Sequence, residues 1–136
     1  MVEEKTFTTR LNTQSVGDEL KGKFQRVELF YCGELTIVET EKLPFRIGRD
    51  ERSCDLIIQG DTISREHCLL QLRDNQIGLL DTSTNGTHVK LGRSDSVLIH
   101  KDHYPLVGQG MIKLGGHIEH NDTDVIFFKV VSSSEL

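Results

Sequence analysis

Between residues 27 and 131 the chain is a succession of short apolar runs broken by Gly, Asp and Asn, and no stretch combines a helical apolar period with caps at both ends. That punctuation predicts an all-β sandwich. The runs place strands over 27–32, 35–38, 45–48, 56–58, 68–72, 78–81, 87–89, 97–99, 111–114 and 125–131. Alternation is clearest where Cys68, Leu70 and Leu72 oppose Leu69, Gln71 and Arg73, and where Ile126, Phe128 and Val130 oppose Val125, Phe127 and Lys129. One set of each pair is expected to face the core, because successive strand side chains point to opposite faces. Arg73-Asp74-Asn75-Gln76 supplies the residue types of a tight hairpin turn. Residues 1–24 differ: they are polar, lack a clear period and carry Thr6, Thr8, Thr9, Thr13 and Ser15, which predicts a flexible tail. Residues 25–131 are then the one domain, and 132–136 a linker or chain end.

A chain of 136 residues is of single-domain size. Trp is absent, so Phe24, Phe30, Phe45, Phe127 and Phe128, with many Leu, Ile and Val, are expected to fill the interior. The net charge of −5 argues against nucleic acid or an anionic membrane as a bulk partner, since counterion-driven binding needs an excess of clustered Lys and Arg. An anion site must therefore be local. Cys32, Cys54 and Cys68 are odd in number and widely spaced, which speaks against a disulfide framework and points to a reducing, cytoplasmic setting. No run approaches the ~20 apolar residues of a membrane helix, and the N-terminal residues lack the apolar core of a signal peptide.

Three polar islands stand out against this background: Gly48-Arg49, Ser64-x-x-His67 and Thr84-Asn85-Gly86-Thr87. A phosphate presents three strong acceptor oxygens and about −1.5 to −2 charges, so its receptor needs a fixed cation, hydroxyl donors and N–H groups. Arg49 suits the cation role through its planar, permanently charged fork. Gly48 permits either a positive φ or the close approach of a neighbouring strand. Ser64 can donate its hydroxyl proton. Arg65 either reinforces the site or points to water, and Arg46 and Arg52 read as surface charges. His67, at the head of a strand, is expected to tie down the loop that bears Ser64. Asn85-Gly86 fits a tight turn, and the Asn85 amide could hydrogen-bond both the N–H and the C=O of an extended peptide.

The order and spacing of these islands resemble a forkhead-associated domain, through motifs over 45–89 and through strand pattern over 27–131. The resemblance implies two β-sheets with about eleven strands, whose loops at one end bind phosphothreonine peptides. It also implies that Arg49 and Ser64 contact the phosphate, with Arg65 beside them, that Thr84 adds a hydroxyl and that Asn85 holds the peptide main chain. Gly48, His67 and Gly86 would be architectural. Thr62 and the loop over 90–94 would sense the residue three places after the phosphothreonine. The expected partner is a phosphothreonine-containing protein, with no cofactor, no metal and no catalysis. The departure from the family lies in 91–110, which reads as an unusually long, His-rich loop.

Other readings compete less well. Ser64, His67 and Asp81 could pose as a hydrolase triad, but a Ser and a His three residues apart at a loop-to-strand junction do not face each other readily, and no G-x-S-x-G elbow exists. His100, His103, His117 and His120 form two H-x-x-H pairs, a spacing that outside a helix does not put both rings on one side. A sandwich acting as a phosphate-independent scaffold or oligomerisation module is the main alternative. Finally, phosphorylation of Thr8 or Thr9 would let the tail occupy its own domain's site, helped by high local concentration.

Overall fold

A computed structural model of the chain describes residues 25–132. The expected tail, including Phe24, and the end beyond Ser132 lie outside these residues. Eleven strands form two sheets. The six-stranded sheet runs in the order β2(Glu34–Glu39), β1(Gln25–Tyr31), β11(Ile126–Ser132), β10(Gln109–Leu114), β7(Thr87–Leu91), β8(Val97–Ile99). The five-stranded sheet runs β4(Leu56–Ile57), β3(Phe45–Gly48), β5(Cys68–Arg73), β6(Gln76–Asp81), β9(His103–Pro105). Both sheets are antiparallel except for the β3–β4 pair.

The inward faces interdigitate as alternation requires: Val27 and Leu29 on β1, Ile47 on β3, Leu70 on β5, Ile77 and Leu79 on β6, and Ile112 on β10 are almost wholly buried. The β5–β6 turn is the expected one. Asp74 and Asn75 have φ of 53° and 64°, the left-handed pair that matches strand twist in a two-residue hairpin.

The structure corrects three expectations. Phe30 and Phe127 are each 45% exposed, because they fall on the outer phase of β1 and β11, so among the described phenylalanines only Phe45 and Phe128 are buried. Leu72 is 41% exposed near the end of β5, where the hairpin runs out past the core. Residues 91–110 are not one long loop: besides the expected strand at 97–99, which is β8, they contain β9. The three-residue β9 escaped notice because it is short, polar and ends in a proline, as an edge strand can.

Register decides which loops share an end. Ile47 pairs with Cys68, Cys68 with Asp81, and Thr87 with Leu114. The loops 49–55, 58–67, 82–86 and 115–125 therefore leave the sandwich together. The chain enters at the opposite end, where Gln25 pairs with Ser132 and its side-chain amide donates to the Asn75 carbonyl at 2.6 Å. Leu70→Ala, which empties space at the centre of this core, should cost about 2–5 kcal/mol in urea unfolding, whereas Leu35→Ala on the exposed edge strand should stay within about 0.5 kcal/mol.

Candidate functional site

The loop after β3 and the loop before β5 are zipped together through their backbones. Arg49 N–H donates to the Ser64 carbonyl and Asp50 N–H to the Arg65 carbonyl, both at 3.2 Å, and His67 N–H donates to the Ile47 carbonyl at 2.9 Å. This closeness explains Gly48: its φ is not in the left-handed region, but an added Cβ would collide with the Arg65 carbonyl. Of the two reasons for a glycine, close approach is the one that applies.

Arg49 is exposed, yet its stem is held, because Nε donates to the Ile63 carbonyl at 2.7 Å while Ile63 itself is 4% exposed in the core. That bond sets the plane of the guanidinium, and its Nη groups have no partner among the described residues. Arg49, Arg52 and Arg65 together line a shallow depression beside Asp50. Arg52, read from the sequence as a plain surface charge, thus belongs to the cationic cluster. Asp50, whose carboxylate accepts from Arg52 N–H and the Ser53 hydroxyl at 3.1 and 3.0 Å, offsets one of the three positive charges and leaves the cluster net positive. These bonds hold its pKa below the usual carboxylate value, the Arg52 N–H contributing most.

Ser64 and Thr84 meet across the loops. The Thr84 N–H donates to Ser64 Oγ at 3.1 Å, which uses a lone pair and leaves the hydroxyl proton for an acceptor outside. Asn85 Nδ2 donates to the Thr62 carbonyl at 3.0 Å, leaving Oδ1 and the second amide hydrogen. Ser64, Arg65, Thr84, Asn85 and Thr62 are brought to one surface by these bonds. Residues 90–94, expected to share it, do not: β7 starts beside the site at Thr87, so the turn after Leu91 lies at its far end. The segment that does approach Thr62 is the start of the 115–125 loop. Gly115, at φ 77°, leaves no room for a Cβ, which would come within 2.6 Å of the Thr62 carbonyl and hydroxyl oxygens. Paired glycines ahead of a polar loop were the available signal.

Two buried polar groups hold these loops. His67 is fully buried; its Nδ1 accepts the Ser64 N–H at 3.0 Å and its Nε2 donates to the Gly86 carbonyl at 2.8 Å. Both ring nitrogens are committed to backbone, and Nδ1 takes the Ser64 N–H rather than its hydroxyl. His67 and Ser64 therefore do not form a base–nucleophile pair. Burial is the main reason the His67 pKa lies below its ordinary value, outweighing the Gly86 bond and the nearby Asp81 charge. Gly86, at φ 90°, also accepts Gly115 N–H through its carbonyl.

Asp81, 1% exposed, is the second group. Its Oδ1 accepts the Ser83 and Thr87 hydroxyls at 2.8 and 2.7 Å, and its Oδ2 accepts the Ser83 and Lys101 N–H groups at 3.1 and 2.8 Å. Burial pushes its pKa up, but these four bonds outweigh burial and the net shift is downward. Ser83 passes the constraint on, since its Oγ accepts Gly86 N–H at 2.7 Å. Asp81 was visible in the sequence only as a weak triad member, although an Asp two places before a Ser is a recognisable local turn signal.

The remaining histidines are not gathered. His117 stacks against His88 with centroids 4.6 Å apart, His103 lies against Gly78, and His100 and His120 are exposed.

A family model described as "FHA domain" matches residues 45–115. No curated protein sequence matches significantly. Among solved structures, the chain is similar to the Mycobacterium tuberculosis Rv1747 FHA-1 domain, with TM-score 0.56 and 22% identity over 79% of this chain and 97% of that one. It is similar to the MEK1 FHA domain solved with a HOP1 phosphothreonine peptide, with TM-score 0.59 and 19% identity over 76% and 95% of the two chains. A third similar structure is the N-terminal FHA domain of S. cerevisiae Rad53p in complex with a phosphothreonine peptide, with TM-score 0.54 and 21% identity over 80% and 93%. At these identities the likeness is one of fold.

Two stability predictions follow from the buried pair. Because the folded pKa of His67 lies below 6.5, the unfolded chain binds more protons as pH falls through that value, so stability present above pH 6.5 is lost on acidification. His88, lowered in the same sense by burial and then by His117, adds to the loss. Unfolding measured between about pH 7 and 5 should show this decline, and His67→Gln should flatten part of it. Asp81→Ala strands several buried donors and should cost at least about 2 kcal/mol at neutral pH, with a shallower loss of stability below about pH 4 than wild type shows.

Proposed function

This chain belongs to the FHA domain family, and from that premise we propose that it is a phosphothreonine-peptide-binding module for phosphorylation-dependent association in Ser/Thr-kinase signalling. The observation that carries the reading is the surface on which Arg49, Ser64, Thr84 and Asn85 converge, each held by a bond that leaves its ligand-facing groups free. Relatives of the same fold are known in complex with phosphothreonine peptides.

In this reading Arg49 presents its Nη groups to the phosphate as two parallel donors and the Ser64 hydroxyl supplies a third. Arg65 and Arg52 raise the local positive potential, and the Thr84 hydroxyl adds a donor near the phosphothreonine. Asn85 reads the main chain of the extended peptide, independent of its sequence. Thr62, with Gly115 against it, senses a side chain further along the peptide. A threonine methyl in a dry contact would gain about 0.8 kcal/mol over serine. The chemistry is recognition alone, and the free cysteines fit a cytoplasmic setting.

The partner is a phosphothreonine-containing protein, and a finer version makes it the chain's own N-terminal segment, phosphorylated at Thr8 or Thr9. Both residues lie outside the described region. Sixteen positions separate Thr9 from Gln25. A coil of that length spans about 20–24 Å on average, comparable to the roughly 20 Å along β1 from the entry end to the binding end. A phosphorylated tail should then lower the affinity for an external phosphopeptide, and an unchanged affinity sinks this version.

The main test is titration of a phosphothreonine peptide library, with phosphoserine and unphosphorylated controls. Binding should require the phosphate, and Arg49→Ala should weaken it by about 2–3 kcal/mol, roughly 30- to 150-fold. Binding indifferent to phosphate and to Arg49 would overturn the proposal.

A further inference from the structure

The outer face of the six-stranded sheet carries an apolar row that the binding loops do not use. Cross-strand partners share a face, so the register lines up Leu35, Phe30, Phe127 and Met111 across β2, β1, β11 and β10. Leu35 is 59% exposed, and Phe30 and Phe127 45% each. A groove follows this row, flanked by Glu28, Lys129 and Arg93.

Both ends of the same face are covered. Toward the binding loops, His88 is on this face yet only 7% exposed, with the ring of His117 packed against it. At the other end Val131 has the outward parity, opposite to Ile126 and Phe128, and stands outside the core cluster, yet it is only 6% exposed. Its cross-strand partner Arg26 has a buried Nε without a hydrogen-bond partner. This is where the chain enters the sheet at Gln25, and 24 residues precede that point. The segment as a whole has no clear period, but its last part does: Val16, Leu20 and Phe24 recur at every fourth position, a spacing that lines up one side of a helix. Phe7 and Leu11 keep the interval, but the five-residue step from Leu11 to Val16 turns a helix by about 140°, so they share that side only with a break between the two. The apolar row begins five strand positions from Gln25, about 17 Å away, within reach of Val16 and Leu11. Asp18-Glu19 and Lys21 with Lys23 flank Leu20, so the segment carries charges of both signs, as the groove does in Glu28, Lys129 and Arg93.

We propose that residues 7–24 dock across this face of their own domain. Leu20 and Phe24 cover Val131 and the Arg26 stem, and Val16 and Leu11 lie along Leu35, Phe30, Phe127 and Met111. The surface is separate from the binding loops, and the proposal concerns the unphosphorylated segment, whatever external ligand those loops bind.

The test uses the full chain with the photo-crosslinker p-benzoylphenylalanine in place of Phe127. Irradiation should give a product of monomer mass whose cross-linked peptide lies within residues 7–24. Cross-links between two chains would assign the face to a second copy, and cross-links found only elsewhere in the domain, or none, would leave it open to solvent; each overturns the proposal. In a second measurement, the double variant Val16→Asp, Leu20→Asp should shift the backbone amide resonances of Phe30, Leu35, Met111 and Phe127 while those of Ile77 and Leu79 in the core stay in place. Unshifted resonances on the row would also overturn it.

Discussion

The candidate site depends on one neutral imidazole. His67 accepts from the Ser64 backbone and donates to the Gly86 backbone, so a single ring spans the two loops that carry the serine and the asparagine. Loops of this kind contain too few apolar residues to pack themselves, and their backbone groups must be satisfied by something. A buried side chain with one donor and one acceptor at opposite edges meets that need with fixed geometry. Burial keeps the ring neutral, and neutrality is what gives it an acceptor at all.

Asp81 supports the same arrangement from below. It sits where the chain leaves the five-stranded sheet for β7 in the six-stranded one, and it accepts four hydrogen bonds from that crossing and from Lys101. Through Ser83 the constraint reaches Gly86, the same residue that His67 holds by its carbonyl. Two polar groups that would be costly if unpaired are thereby paired through the functional loops, so forming the loops and satisfying the interior are one event. The side chains proposed to face the ligand are held by hydrogen bonds before any ligand arrives, which in that reading leaves less ordering to oppose binding.

The electrostatics are local. The chain is acidic overall, yet Arg49, Arg52 and Arg65 surround one depression and outnumber its one carboxylate, Asp50. Such a cluster attracts a single phosphate without making the molecule a polyanion binder. The six-stranded sheet shows the converse economy on its outer face, where apolar groups collect in one row away from the loops.

The sequence by itself determined the fold class, nearly all the strands and the β5–β6 turn, and it named the residues proposed to carry the site chemistry. It could do so because strand alternation, turn residues and the Gly-Arg, Ser-x-x-His and Thr-Asn-Gly islands are local signals, each readable within a few positions. Only the tertiary structure decided that Phe30 and Phe127 face outward, that Arg52 joins the cationic cluster, that Gly115 and not the 90–94 turn adjoins Thr62, and that Asp81 anchors the loops. Each of these depends on which strands are neighbours and in what register. A period of two says that side chains alternate, but the face that becomes the interior is chosen only when the second sheet packs against the first.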